Sequence, residues 1–342
     1  MKRFVHDASS SPTIKDVAKL TGLSIGTISK YLNGGHVLDE NRAAIERAIK
    51  DLHFEVNQVA RGLKKNRTML IGLLVSTYEG QFQMRMISNI ERSLMKCGYS
   101  TIVCDYQNDY KLEAERIRFF IGRKVDGIIV IPTVHNNALY EEVLAKGISL
   151  IFIDRPLDAI TCDCVLVNNR EATREATEVL IKKGHKRIAM LNMHEPDGYT
   201  GSERQTGYVD ALKGAGLPID PRVLVADAIT IAGGYSGMMR LLDLKPRPSA
   251  VIVPNDDMAF GALKALGERN VRVPEEMAII GFDAFELATV FKPELSVVQQ
   301  PIGAIGDMVA EVMLKRLSGR ASFSPMRIEL KMQLILRGSS GI

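Results

Sequence analysis

TIKDVAKLTGLSIGTISKYLN, residues 13–33, reads as two short helices joined by a tight turn. Thr13 followed three residues on by Asp16 is a capping-box-like start, Ile14, Val17 and Ala18 recur at helical spacing, and Gly22 permits the turn. Ser24 is placed to cap a second helix, on which Ile28 and Leu32 face the first. Ile25, Gly26, Ser29, Lys30 and Asn33 then fall on the opposite side. A helix with a small, polar and basic outer face, braced by a partner helix, fits the DNA major groove. The same spacing also suits an ordinary helical hairpin with a solvated face, so charge has to decide between the two.

Residues 1–68 hold twelve Lys and Arg against seven Asp and Glu, a net of +5, whereas the remaining 274 residues sum to −1. A basic excess confined to a helical head is what a phosphate-binding module requires. Residues 39–52 predict a third amphipathic helix, with Ala44, Ile45, Ala48, Ile49 and Leu52 on one stripe, which closes a three-helix head. NQVARGLKK, residues 57–65, has helical character around an interior Gly62. Isolated helices below about 12–15 residues are marginal in water, so this segment is expected to depend on a partner.

At 342 residues and 46% hydrophobic, the chain is long enough for more than one core. No apolar run approaches the ~18 residues of a membrane span, and MKRFVHDASSSP at the start has no following apolar region, so a cytoplasmic protein is expected. Cys97, Cys104, Cys162 and Cys164 follow no metal-ligand spacing; the C-x-C of Cys162 and Cys164, expected in a loop, suits a redox pair or a soft-metal site but reads first as reduced thiols. The six histidines are scattered, and neither a metal nor a cofactor is expected. From Met69 onward, apolar strands at 69–75, 100–105, 126–132, 149–156, 187–192, 222–227, 249–256, 278–283 and 296–301 alternate with amphipathic helices. That pattern predicts parallel sheets covered on both faces, arranged as two doubly wound lobes whose strand ends converge on a ligand cleft.

TIKDVAKLTGLSIGTISKYLN, then VARGL, SERQTGY (202–208), PNDDMAFGALKAL (254–266), VPEEMAIIGFD (273–283) and LSVVQQP (295–301) together resemble the lactose-repressor family of bacterial transcription regulators, in family order from about Thr13 to Arg337. The resemblance implies a helix-turn-helix head over 1–56, a hinge over 57–68 and a periplasmic-binding-protein-like core over 69–342. It divides the core into a first lobe of about 69–168 plus 301–326 and a second of about 169–300 plus 327–342. It also implies a homodimer on a pseudo-palindromic double-stranded DNA operator, with a small-molecule effector in the cleft that changes operator affinity.

By the same resemblance Ile25, Gly26 and Lys30 are the base-reading positions, with Ile25 suited to a thymine methyl and Lys30 to guanine. Thr13, Ser24, Thr27, Ser29 and Asn33 are assigned to phosphates, which set register. Asn57, Arg61 and Leu63 of the hinge are placed at the DNA, Leu63 as a minor-groove wedge; the family proline before this segment is replaced by Val56. In the cleft the resemblance assigns Phe82, Asn168, Arg204, Asn255, Asp283 and Gln300 to the effector. Bidentate side chains around an aromatic ring suit a carbohydrate. Asn168, where the family often has Asp, removes a negative charge and leaves a phosphorylated or acidic sugar, or a nucleobase-like corepressor, as the alternative.

A nucleotide-dependent enzyme on the same folds is a different class of reading. No G-x-G-x-x-G or Walker A sequence supports it, and the basic head would go unexplained. A secreted sugar-binding transport protein has a similar core but no use for the head.

Overall fold

The structure, a computed structural model, describes residues 12–32, 34–54, 67–193, 198–283, 285–319 and 324–341. Asn33 and the hinge positions Asn57, Arg61, Gly62 and Leu63 lie outside the described residues. The chain forms two compact units, Met1–Thr68 and Met69–Ile342.

In the first unit α1 (Ile14–Thr21), α2 (Ile25–Leu32) and α3 (Asp39–Asp51) enclose a small core of Val17, Ile28, Ile45, Ala48 and Phe54. The helical spacing accounts for the first four. Phe54, two residues beyond the last helical stripe, closes the bottom of the core, and Tyr31 ties α2 to α3 through Glu46 at 3.0 Å. Gly22 ends α1 in the left-handed region, where the absence of a Cβ makes the turn inexpensive.

The second unit runs β1 (Leu70–Val75), α4 (Gln81–Lys96), β2 (Ser100–Asp105), α5 (Tyr110–Gly122), β3 (Gly127–Val130), α6 (Asn137–Ala145), β4 (Ser149–Ile153), β5 (Asp163–Val167), α7 (Asn169–Lys182) and β6 (Ile188–Met193). It continues through α8 (Tyr199–Gly214), β7 (Leu224–Asp227), α9 (Ile231–Asp243), β8 (Ala250–Ile252), α10 (Asp256–Glu268), β9 (Ala278–Phe282), β10 (Ser296–Gln299), α11 (Ile302–Leu317), β11 (Arg327–Leu330) and β12 (Gln333–Ile335). Two six-stranded sheets result, ordered β11-β5-β4-β3-β1-β2 and β12-β10-β9-β8-β6-β7. Every pairing is parallel except β10 with β12. Buried Val, Ile and Leu fill both faces of each sheet, as continuous apolar strands require.

Three strands depart from the expected set. β5 is DCVLV, five residues opened by an aspartate; β11 and β12 are four and three residues at sheet edges with half-exposed side chains. Cys164 therefore lies on a strand rather than in a loop, and burial raises the Cys162 thiol and pushes that of Cys164 up to about 12. The lobe boundary also moves: residues 327–330, grouped with the second lobe from the sequence, pair with β5 in the first, so the chain crosses between the lobes after β5, after β10 and, for the third time, at Lys331–Met332.

Two devices place the elements around the cleft. Gly234 and Gly261 let α9 and α10 meet backbone to backbone, because a Cβ on either would collide with the carbonyl of Met258 or Ile231. The close crossing sets the starts of both helices side by side on the rim. On the first lobe, the buried Glu113 carboxylate accepts hydrogen bonds from the Thr133 N–H at 2.8 Å and from the Thr133, Asn136 and Tyr140 side chains. Those bonds fix the loop that follows β3 and Ile131.

Candidate functional site

The head presents one side of α2. Ser24, Ile25, Gly26 and Lys30 are exposed, Ile25 at 44%, and Thr27 and Ser29 are half-buried. The hydroxyls near the helix starts already have internal partners. The Asp16 carboxylate accepts from the Thr13 N–H at 2.9 Å and from its hydroxyl at 2.7 Å; the Ser24 Oγ accepts from the Thr27 N–H at 3.1 Å and lies 3.0 Å from the Thr27 hydroxyl. Ser24 is thus an N-cap in the DNA-free chain, and its side chain fixes the start of the exposed helix. A 44%-exposed isoleucine beside a bare glycine and a lysine offers apolar contact and donors, with no anionic group to repel phosphate.

The second site is the cleft between the two lobes, a cavity of about 920 Å³ bounded by the C-terminal ends of strands from both sheets. Arg204, on α8, is 3% exposed. Its Nε donates to Asn169 Oδ1 at 2.8 Å, its Nη1 donates to the Pro254 carbonyl, and its guanidinium carbon stands 4.0 Å from the centre of the Phe282 ring. Asp283 accepts from the Gln300 N–H at 3.2 Å and from Gln300 Nε2 at 3.0 Å. Burial pushes the Asp283 carboxyl up, while Arg204 and Gln300 pull it down. Asn255 caps α10 by accepting from the Met258 N–H at 3.1 Å, and also lines the cleft. Phe82 packs on the first-lobe core with one side and lines the cleft with the other.

Asn168 does not join them. Its Oδ1 accepts from the Met332 N–H at 2.8 Å and its own N–H donates to the Leu330 carbonyl at 3.1 Å, so it clasps the first crossing between the lobes to the third. The neighbour of Arg204 is Asn169, one residue on. β5 ends at Val167; Asn168 is the N-cap of α7 and Asn169 its first helical residue, so the two side chains leave the backbone in different directions. The change from Asp at 168 therefore says nothing about charge in the cleft.

Residues not singled out from the sequence complete the wall. Asp154 and Arg155 follow β4, and Asp154, like Asp283, adopts the left-handed region, at φ 69° against 59°. A non-glycine residue there costs about 1 kcal/mol or more, and the conformation turns both carboxylates into the cleft from opposite lobes. The pattern of an acidic residue directly after an apolar strand, IFID and IIGFD, marked both. Glu79, Asp105, Asp256 and Asp257 also line the cavity, giving six carboxylates against the two guanidiniums of Arg155 and Arg204. Arg85 on α4 pairs with Glu286 across the lobes.

Asp256 makes the site pH-sensitive. Burial, then Asp257 and Asp283, push its carboxyl up to about 6. Between about pH 4 and pH 6 the folded chain keeps a proton that the unfolded chain has released. The contribution to stability is full below that window and is lost as pH rises through it, by of order 3 kcal/mol. Asp256→Asn is expected to flatten this part of the pH–stability profile, read by urea unfolding at about pH 5 and pH 7; an unchanged profile would contradict the assignment.

A braced recognition helix in a basic head, followed by a two-lobed α/β core with a polar cleft, defines a ligand-responsive DNA-binding regulator. Residues 13–57 match the bacterial regulatory proteins of the lacI family, and residues 68–334 match the periplasmic binding proteins and sugar binding domain of the LacI family. The chain belongs to the lacI family, and it is a transcriptional regulator rather than an enzyme. It is 32% identical over 332 residues to the ribose operon repressor of Escherichia coli (strain K12), covering 96% of this chain and 99% of that one. It is similar to the transcriptional regulator CelR in its cellobiose complex, at 28% identity and TM-score 0.73 over 96% of this chain and 99% of that chain. It also shares the fold of the lac repressor dimer bound to operator and the anti-inducer ONPF, at 24% identity and TM-score 0.84 over 97% and 99% of the two chains. Among the described residues no helix is long and apolar enough to cross a membrane.

Proposed function

We propose that the regulator reads a two-fold symmetric operator through Ile25, Gly26 and Lys30 and releases or grips it according to a carbohydrate held between the core lobes. The observation that carries the reading is the arrangement of Arg204, Asn255, Asp283 and Gln300 on one cleft beside Phe82. These groups are held by buried partners before any ligand arrives, which is how a site avoids spending affinity on ordering. Paired donors and acceptors around an aromatic ring match hydroxyls that both donate and accept. Six carboxylates against two guanidiniums favour a ligand without phosphate or carboxylate groups. The cellobiose complex of a relative supports the same class.

Two copies are needed to set two heads on two half-sites. The second lobe offers an apolar face for pairing, where Phe260 stacks on Phe291 with centroids 5.9 Å apart beside Val290, which is 68% exposed. The dimer seen for the lac repressor supports pairing as such. The hinge roles of Asn57, Arg61 and Leu63 rest on the sequence resemblance alone.

Lys30→Ala tests the reading face. Loss of a lysine bonded to a guanine edge is expected to cost about 1–3 kcal/mol on operator and far less on random DNA. Anisotropy titrations on both duplexes at one salt concentration measure it; equal loss on both would reject Lys30 as a base reader.

A further inference from the structure

The acids of the cleft are unevenly compensated. Asp154 has Arg155 at 3.7 Å and Asp283 faces Arg204, while Arg116 reaches Asp105 only at its backbone carbonyl, at 3.3 Å. Glu79, in the loop after β1, and Asp256 and Asp257, at the start of α10, have no such partner: among the described residues no cation forms an ion pair with any of the three or offsets the charge of either aspartate. They come from opposite lobes, and burial, with Glu79 repelling it across the mouth, pushes the Asp257 carboxyl up. Asp256 is only 5% exposed; its Oδ1 accepts the Asp257 N–H at 3.1 Å, and its Oδ2 accepts no hydrogen bond. A buried carboxylate oxygen without a donor is a cost that a bound donor removes. Among the described residues, no three His, Cys, Asp or Glu side chains group closely enough to hold a metal ion, so the missing positive charge has to arrive on a larger group.

On the reading that the cleft holds a carbohydrate, we propose that this carbohydrate is aminated, with its ammonium group seated between Glu79 of the first lobe and the Asp256–Asp257 pair of the second. An ammonium carries three donors and one positive charge, which suits three carboxylates on two walls. The same group links ligand to conformation. Without it, Glu79 and Asp257 oppose approach of the lobes; with it, the closed arrangement gains two charge-assisted contacts that the open one lacks, and a ligand shifts an equilibrium only by such a difference.

The test is calorimetric titration of the full chain with glucosamine, galactosamine and mannosamine, their neutral parent hexoses and their N-acetyl forms, at about pH 6.5, where an amine is protonated. At least one amine is expected to bind ~10-fold or more tightly than its parent and its N-acetyl form, the scale of one charge-assisted hydrogen bond. In the Glu79→Gln/Asp257→Asn double variant, at sites already partly exposed, that preference is expected to fall below ~3-fold. Neutral hexoses binding as tightly as every amine would overturn the ammonium and leave the carbohydrate cleft standing. Binding by none of these sugars would overturn both. An amine preference that survives undiminished in the double variant would overturn the seating at Glu79 and Asp257.

Discussion

Arg204→Ala is expected to abolish the response of operator binding to the sugar that shifts it in the parent chain. The guanidinium is almost fully buried, holds Asn169 and the Pro254 carbonyl, and lies over the Phe282 ring beside Asp283. Removing it deletes the cleft's central donor and leaves the buried Asp283 without its compensating charge. Losses of this kind run to about 3–5 kcal/mol, or roughly 150- to 4000-fold in ligand affinity. Arg204→Lys retains the charge but not the planar fork, and is expected to fall between the two. Titrating operator with and without ligand separates lost ligand binding from lost folding. A variant that still responds at the parent ligand concentration would remove Arg204 from the site.

The largest expected effect on stability lies elsewhere. Asp163, 2% exposed at the start of β5, accepts from Arg316 Nε at 2.6 Å and Nη2 at 2.8 Å and from the Met326 N–H at 2.9 Å. One carboxylate thereby joins β5, α11 and the approach to β11, which no local sequence signal connects. Arg316→Met leaves that carboxylate buried against a thioether, at an expected cost of about 3–5 kcal/mol. For a core of this size the shift in unfolding midpoint is roughly 10 °C. Pairing the change with Asp163→Asn is expected to restore part of the loss, because the unpaired charge rather than the missing bond carries most of it. A single variant within about 1 kcal/mol of the parent by urea unfolding would show that Asp163 does not depend on Arg316.

These two residues mark what was legible in the sequence and what was not. The head is specified locally: apolar residues three and four apart, an Asp16 that answers Thr13, a Ser24 that caps, and a Gly22 that turns. Phe54 escaped because it lies past the helical period. In the core, long apolar strands such as Leu70–Val75 announce themselves, whereas β5, β11 and β12 take their stability from neighbours far away in sequence and carry polar residues at the edge. The start of α7 decided the cleft. Asn168 and Asn169 are adjacent in sequence, yet one holds a crossover and the other holds Arg204. Arg204, Asn255, Asp283 and Gln300 stood out because their motifs resemble those of the lactose-repressor family, and all four line the one cleft. Asp154 and Asp256 carried a comparable signal, in IDRP and PNDD, but their importance depends on φ and on burial, and neither quantity is written in a single sequence.

The central claim is that this chain, as a pair, recognises a symmetric DNA sequence through α2. Selection of bound duplexes from a randomised pool by the purified full-length chain tests it most directly. The account predicts enrichment of one pseudo-palindromic sequence, its two halves related by the two-fold axis of the protein, bound ~10³-fold or more above the unselected pool. Recovery of no consensus, with affinity set by salt alone, would contradict it.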